Sequence, residues 1–434
     1  MKKVLSWCMA VCMAVGMLSG CGAPKEEAKT GTDGGQTEIS FSTWLNKDED
    51  TPVVEGFMKE NPNIKVNTEV MDGTKYPDLL QPRLMSGDAP DVMLIMSEMY
   101  DKYILEDWLM DISDLPVAET MKANKNINDI FAKDGKFYAV PITGGYSVHP
   151  IYYNKKIFDN LGLSVPQTKE EFYQACETIK AAGIDPITFG AADSWTVGSL
   201  CNPMANAAQY KYGVKYDEKL VDGSLKYSEI YGDTFKFLED MVQKGYIGKN
   251  ALTMKYEQSM QYFADGKAAM VAQGLWVPDL PEIVAADPAV FELGTFVNPL
   301  LATADNGKVR VKVSPDRILV ISKTAKNQEA CKKFVEYFTK DAVMEEYLNR
   351  QNLDTMFTQL KLEKPAVFEN FYNTLKDETK YELISGSETY TMPKAVSSAV
   401  GESYQNLLSG SSAEKELNRL DQIFEENRDK VVKK

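Results

Sequence analysis

The sequence predicts an α/β protein built as two bodies between which the chain crosses. Three observations carry this. From Thr37 to Met96, short β-patterned runs alternate with helical ones, the rhythm of a largely parallel sheet covered by helices. Between Asp134 and Phe158, two β-rich runs are joined through Gly144-Gly145, as where a chain passes from one body to another. From Thr168 the strand–helix alternation resumes and runs to about Lys340.

The chain starts with a targeting segment rather than with fold. Lys2 and Lys3 precede an apolar run, Val4–Leu18, too short for a comfortable transmembrane helix. The run ends in Leu18-Ser19-Gly20-Cys21, which resembles a bacterial lipobox. In such signals residues 1–20 are removed and the Cys21 sulfur carries a diacylglycerol; the alternative is an ordinary signal peptide with a chance cysteine. Residues 21–36 have no large apolar side chain and read as a flexible tether.

Order begins at Thr37–Trp44, a period-two strand. Asn46–Asp50 reads as a polar loop and Thr51–Asn61 as a helix burying Val54, Phe57 and Met58. Ile64–Val70 is a second strand, Asp78–Ser86 a helix ended by Gly87-Asp88-Ala89-Pro90, and Asp91–Met96 a nearly all-apolar strand, as expected where both faces are covered. After the crossing, Thr168 and Glu171 form a capping box for a helix over Thr168–Ala182. Ile187–Phe189, Ala268–Ala272, Phe291–Val297, Val309–Ser314 and Arg317–Ser322 read as strands. Asn327–Lys340 is a strongly amphipathic helix using Ala330, Phe334, Val335 and Phe338, and Lys394–Asn427 is mostly helical.

Composition narrows the function. A 434-residue chain with 44% hydrophobic residues can bury large cores, and a formal charge of −15 disfavours nucleic acid and anionic lipid headgroups as partners. Cys176, Cys201 and Cys331 are widely spaced and match no disulfide framework or zinc spacing; they are expected to be small buried hydrophobes. His149 is the single histidine, so no His-based metal site is expected, and no cofactor motif is present.

Several stretches, in order, resemble the extracellular solute-binding proteins, family 1, the sugar-binding lipoproteins of ABC importers related in architecture to maltose-binding protein. They are 57–66 (Phe57 to Val66), 86–92 (Ser86 to Val92), 134–141 (Asp134 to Pro141), 153–158 (Tyr153 to Phe158), 166–168 (Pro166 to Thr168), 263–270 (Phe263 to Met270), Gln273-Gly274-Leu275-Trp276 and 318–323 (Ile318 to Lys323). No single stretch is decisive; the ordered set is. Beyond Lys340 the match weakens. The resemblance implies a type II periplasmic-binding-protein-like fold, two lobes with the ligand in the cleft between them. It divides the chain into a first lobe of 37–142 and 273–315 and a second of 148–270 and 320–434. The hinge crossings fall at 143–147, 271–272 and 316–319, with Gly144, Gly145 and Gly274 as hinge glycines.

A sugar offers hydroxyls that need hydrogen-bonding partners and a C–H face that stacks on an aromatic ring. Strand ends that meet this are Trp44 with Asn46, Asp48 and Glu49; Ser97-Glu98; Tyr146 and His149 in the crossing; Asp193, Trp195 and Asn202; Trp276; and Asp316-Arg317. In the family the aromatic of the Gln273–Trp276 motif often faces the sugar. Each residue has a plainer alternative. A tryptophan is more often core than platform, as expected at Trp108, and Trp44 is balanced between the two. Asp48 and Glu49 could merely solvate a loop, Asp316-Arg317 could be an ion pair closing a turn, and His149 could be a structural hydrogen-bonder.

The leading expectation is a binding protein and not an enzyme. It captures a carbohydrate, an oligosaccharide in particular, and delivers it as a monomer to the transmembrane subunits of a permease, outside the cytoplasm and anchored through Cys21. The alternatives are a secreted carbohydrate-active enzyme using paired carboxylates, and a binding protein for another solute such as a polyamine. No nucleophile elbow, HExxH or phosphate loop appears.

Overall fold

The structure, a computed structural model, describes residues 36–384 and 386–433. The expected signal peptide, the lipidated Cys21 and nearly all of the tether lie outside the described residues. Twelve strands matter here. They are β1 (Thr37–Thr43), β2 (Ile64–Val70), β3 (Val92–Met96), β4 (Ala139–Pro141), β5 (Gly144–Tyr146) and β6 (Pro150–Asn154). The others are β7 (Asp185–Ile187), β8 (Ala268–Ala272), β9 (Leu293–Val297), β10 (Val309–Pro315), β11 (Arg317–Ile321) and β12 (Tyr381–Ile384).

Two sheets organise two lobes. The first runs β2-β1-β3-β11-β4, with β1 parallel to β2 and β3, and β11 antiparallel to β3 and β4. The second runs β7-β8-β6-β9, with β6 antiparallel to both neighbours. Each has its own core. Around the first, Ile39, Phe41, Val92–Ile95 and Ile318–Ile321 are buried against the helices Lys47–Glu60 and Gln328–Phe338. Phe334 sits at that junction, edge-on to Phe41 at 5.4 Å and Phe57 at 5.1 Å. Truncating so buried a phenylalanine to alanine removes about 3–5 kcal/mol. The Gln328–Phe338 helix buries the positions its apolar spacing predicts, Ala330, Phe334, Val335 and Phe338, together with Cys331.

The assignment of 273–315 to the first lobe is corrected. β9 hydrogen-bonds β6 over its whole length, Pro150 opposite Val297 to Asn154 opposite Leu293, so the chain after Gly274 returns to the sheet it left. No passage between lobes occurs at 271–272. The assignment of 320–434 to the second lobe is corrected in part. β11 and the helices Gln328–Phe338 and Asp341–Arg350 bury their apolar faces in the first core, and the chain joins the second core only from about Phe368. The chain therefore changes lobe between β4 and β6, between β10 and β11, and between about residues 357 and 368. In the first two passages, β5 pairs antiparallel with β10, and β10 also pairs with β12.

Gly144 and Gly145 have no left-handed backbone. Gly144 is needed for close approach: a Cβ there would lie 2.8 Å from both the Ser314 carbonyl oxygen and the Met356 side chain. Its N–H donates to the Asp354 carbonyl at 3.0 Å, tying the first passage to the third.

Candidate functional site

One edge of the second sheet collects the aromatic residues. β6 begins at Pro150, next to His149, and the Gln273 N–H at the end of β8 donates to the Pro150 carbonyl at 3.4 Å. Trp276, three residues on, lays its indole over Gly274, where a Cβ would fall 1.9 Å from the ring. Gly274, expected from the sequence to be a hinge glycine, is instead the floor on which Trp276 rests within the second lobe. The Trp276 Nε1–H donates to the Tyr256 hydroxyl at 2.7 Å. Trp195 opens the helix Trp195–Tyr210, with ring centroids 4.9 Å from Tyr256 and 6.4 Å from Trp276, and is 43% exposed. His149 stands edge-on to Trp276 at 6.4 Å. The result is a wall of four rings with Trp195 at its open end.

Polar atoms gather at the same edge. Gln273 is fully buried; its Oε1 accepts from the Ser199 hydroxyl at 3.1 Å while its Nε2 has no internal partner. The Thr196 hydroxyl, Asn298 Nδ2 and His149 Nδ1 are likewise buried without an internal partner. Burial pushes the His149 pKa down, opposed by the charge of Asp316 and by the Ser199 backbone.

The first lobe contributes carboxylates. Asp316, between β10 and β11, is exposed; its N–H donates to the Thr143 carbonyl at 3.0 Å. Glu98 lies in the first turn of the helix Ser97–Leu105, directly after β3. Glu98 is exposed at its surface, but the protein crowded around its carboxyl, with the charge of Asp316 added, pushes the pKa up. The charge of Asp316 thus acts on both Glu98 and His149, and Ser97 and Glu98 line a cavity of about 560 Å3 whose second-lobe side holds Tyr210, Lys312 and Glu388.

Other expected residues lie elsewhere. Arg317 turns into the first lobe, where its guanidinium donates to the Tyr347 hydroxyl (2.9 Å) and Gln351 Oε1 (2.7 Å) and sits 3.5 Å from the Glu49 carboxylate. Its expected role as a ligand clamp gives way to an internal ion pair, and Glu49 is its partner. Asn46 and Asp48 are exposed at the start of the helix Lys47–Glu60, which begins where a loop was expected. Trp44 is half-buried with its ring 5.5 Å from Tyr76 and against Gly73. Tyr146 is not among the indoles; it packs 6.3 Å from Tyr372 in a concavity shared with Asp354 and Lys364. Asp193 accepts from the Tyr256 N–H at 2.8 Å, anchoring the helix Tyr256–Ala264, and Asn202 accepts from the Tyr404 hydroxyl at 2.9 Å. Sequence reasoning missed Tyr256 and the roles of Gln273 and Asn298. Tyr256 lies in a polar stretch without a motif, and only the fold brings it between Trp195 and Trp276. Among the described residues, no group of His, Cys, Asp and Glu could hold a metal, and no helix is long and apolar enough to cross a membrane.

Two α/β lobes joined by three passages, with rings at one strand edge and carboxylates at the other, are the architecture of proteins that hold a small ligand between lobes. Residues 43–345 match the family described as Bacterial extracellular solute-binding protein, and the chain belongs to that family. It is 31% identical over 308 residues to the Multiple sugar-binding protein of Streptococcus mutans, covering 68% of this chain and 69% of that one. It is 23% identical to the Melibiose/raffinose/stachyose-binding protein MelE of Bacillus subtilis, over 83% of this chain and 82% of that one. In structure it resembles a chitin oligosaccharide binding protein (TM-score 0.75, 23% identity, 91% of this chain and 99% of that one). It also resembles the binding protein RafE in complex with raffinose (TM-score 0.72, 24% identity, 90% of this chain and 100% of that one).

Proposed function

We propose that this protein captures an oligosaccharide between its lobes and presents the loaded form to the transmembrane subunits of an ABC importer. It works as a monomer outside the cytoplasm, held to the membrane by a lipid on Cys21. The observation that carries the reading is the wall of Trp195, Tyr256, Trp276 and His149, with the charge of Asp316 near enough to act on His149. Indole faces stack on sugar C–H faces, while carboxylates accept from hydroxyls. The sugar-binding names of the two curated relatives support the same solute class. Ser97, Glu98, His149, Trp195, Trp276 and Asp316 are the ligand-facing set, and the three passages are the hinge. Ligand contacts from both lobes favour the closed form, so binding and closure are one equilibrium.

Calorimetry against a panel of mono- and oligosaccharides, with small-angle scattering on the same samples, tests this. Saturable binding with a smaller radius of gyration is expected; no binding to any sugar with unchanged scattering would refute it. The same mixtures, analysed for cleavage products, address the enzyme reading, because Glu98 beside Asp316 resembles a carboxylate pair. Intact sugars are expected, and cleavage abolished by Glu98→Gln would reassign the protein as a glycoside hydrolase. Palmitate labelling of the expressed protein, lost in Cys21→Ala, tests the anchor.

A further inference from the structure

The loop from Gly386 to Pro393 leads into the helix Lys394–Leu408, whose Val396, Ala399 and Val400 are buried in the second core. A plain connection needs no fixed shape, yet this one is tied down along most of its length. Gly386 turns the chain with a φ of 113°, a conformation that suits glycine. Glu388 Oε1 accepts from Lys312 Nζ at 2.7 Å and from the Tyr210 hydroxyl at 3.4 Å. The Thr389 hydroxyl donates to Glu218 Oε1 at 2.7 Å, and the Tyr390 N–H donates to Asp217 Oδ2 at 2.6 Å. Tyr390 and Thr391 also pair antiparallel with Lys433 and Val432. Asp217 is buried, and a desolvated carboxylate costs stability unless its hydrogen bonds are kept. The loop is therefore held as a stiff arm of the second lobe.

The arm touches the other lobe twice. The Ser387 hydroxyl donates to the Asp129 carbonyl at 3.1 Å, and Lys394 Nζ, at the far end, lies 2.9 Å from Asp78 Oδ1. Asp129 belongs to the helix Lys125–Phe131 and Asp78 to the helix Tyr76–Ser86, and both helices bury their apolar residues in the first core. Ser387 and Glu388 also wall the cavity that Ser97 and Glu98 line from the first lobe. Because the arm moves with the second lobe, both contacts form only when the lobes are together. They favour that arrangement whatever lies between.

We infer that residues 386–394 are a latch. Carried by the second lobe, the arm docks on two helices of the first as the lobes close, and it holds them together independently of ligand contacts. The inference needs the lobes to move, and it goes beyond the carbohydrate reading. One neutral hydrogen bond and one exposed ion pair make a weak latch, so it can open again when solute is handed on.

The test is single-molecule fluorescence of the full chain without sugar, with one dye on each lobe. The wild type should exchange between open and closed forms. Ser387→Ala/Lys394→Ala cuts both first-lobe contacts and leaves the arm's anchors in place. It should shift the ratio toward open by about threefold to tenfold, with the urea midpoint unchanged. Lys394→Asp alone should shift it the same way, and Asp78→Lys/Lys394→Asp, which restores the pair with its charges exchanged, should bring it back. An unchanged ratio in the alanine variant overturns the inference. So does a wild type that stays in one form, or a charge-exchanged protein no more closed than Lys394→Asp. With no sugar present, none of these results turns on the carbohydrate reading.

Discussion

Gly274→Ala separates the packing of the aromatic wall from its function. The added Cβ would lie 1.9 Å from the Trp276 ring and 2.3–2.4 Å from two further ring atoms, so the two cannot coexist. The obstructing group is the end of a side chain, not backbone, so the indole swings away and the strand stays. Swinging breaks the Nε1–H bond to Tyr256, worth about 0.5–1.5 kcal/mol. It also parts the contacts with Trp195 and His149, worth about 0.5–1.5 kcal/mol per ring pair. Stability should therefore fall by about 1.5–4.5 kcal/mol, read from urea denaturation. Sugar affinity should fall by about tenfold or more, because the stacking face is gone rather than weakened. Trp276→Ala in the same assays should match the affinity loss, and combining both changes should add nothing further. Wild-type affinity in Gly274→Ala would refute the view that this glycine positions the platform.

Arg317→Met removes one member of a buried ion pair and should cost about 3–5 kcal/mol in denaturation experiments, while the protein that remains folded binds sugar normally. His149 has a pKa pushed below the usual 6.5 by burial, so its contribution to stability is full above 6.5 and is lost as pH falls through that value toward the folded pKa. As the sole histidine, it should account for most of that slope between about pH 7 and 5, and His149→Gln should flatten the plot of urea midpoint against pH there. An unchanged slope would assign it to carboxylates. Gly144→Ala forces its Cβ against the Ser314 carbonyl and Met356, so it should change the closure equilibrium, seen by single-molecule fluorescence, more than it lowers the unfolding midpoint.

Regular periodicity was legible. The strands of the first sheet and the Gln328–Phe338 helix follow directly from their apolar spacing, because local pattern alone decides which face is buried. The capping box at Thr168 and Glu171 is half right: Thr168 Oγ1 accepts from the Glu171 N–H, but the Glu171 carboxylate reaches the Gln167 N–H instead of that of Thr168. The short helices Pro116–Ala123 and Lys125–Phe131 went unread, each about two turns and too brief to establish a period. Lobe membership was misread because it depends on strand pairing across long separations. Nothing within Leu293–Val297 states that it lies beside β6, more than a hundred residues earlier, rather than in the first sheet. Side-chain direction failed in the same way. Asp316 and Arg317 are adjacent, yet the strand alternation at the start of β11 sends one to the cleft and the other into the core.

The division of chemistry between lobes makes a further, sharper prediction. The rings sit wholly on the second lobe and the carboxylates Glu98 and Asp316 on the first, so a sugar stacked on the rings has half its partners only when the lobes approach. Reversing a two-state population from mostly open to mostly closed takes about 5.5 kcal/mol of differential binding. Two to three hydrogen bonds to charged groups, at about 1.5–3 kcal/mol each, supply that much. Removing the ring should therefore weaken binding without changing the closed shape at saturation, whereas Glu98→Gln/Asp316→Asn should leave a saturated protein that is only partly compact. Scattering at saturating sugar distinguishes them: Trp276→Ala reaching the wild-type radius of gyration, and the double carboxylate variant falling short of it. If both reach the same radius, closure is driven by contacts outside Glu98 and Asp316, and Lys394 with Asp78, 2.9 Å apart on opposite lobes, becomes the next pair to break.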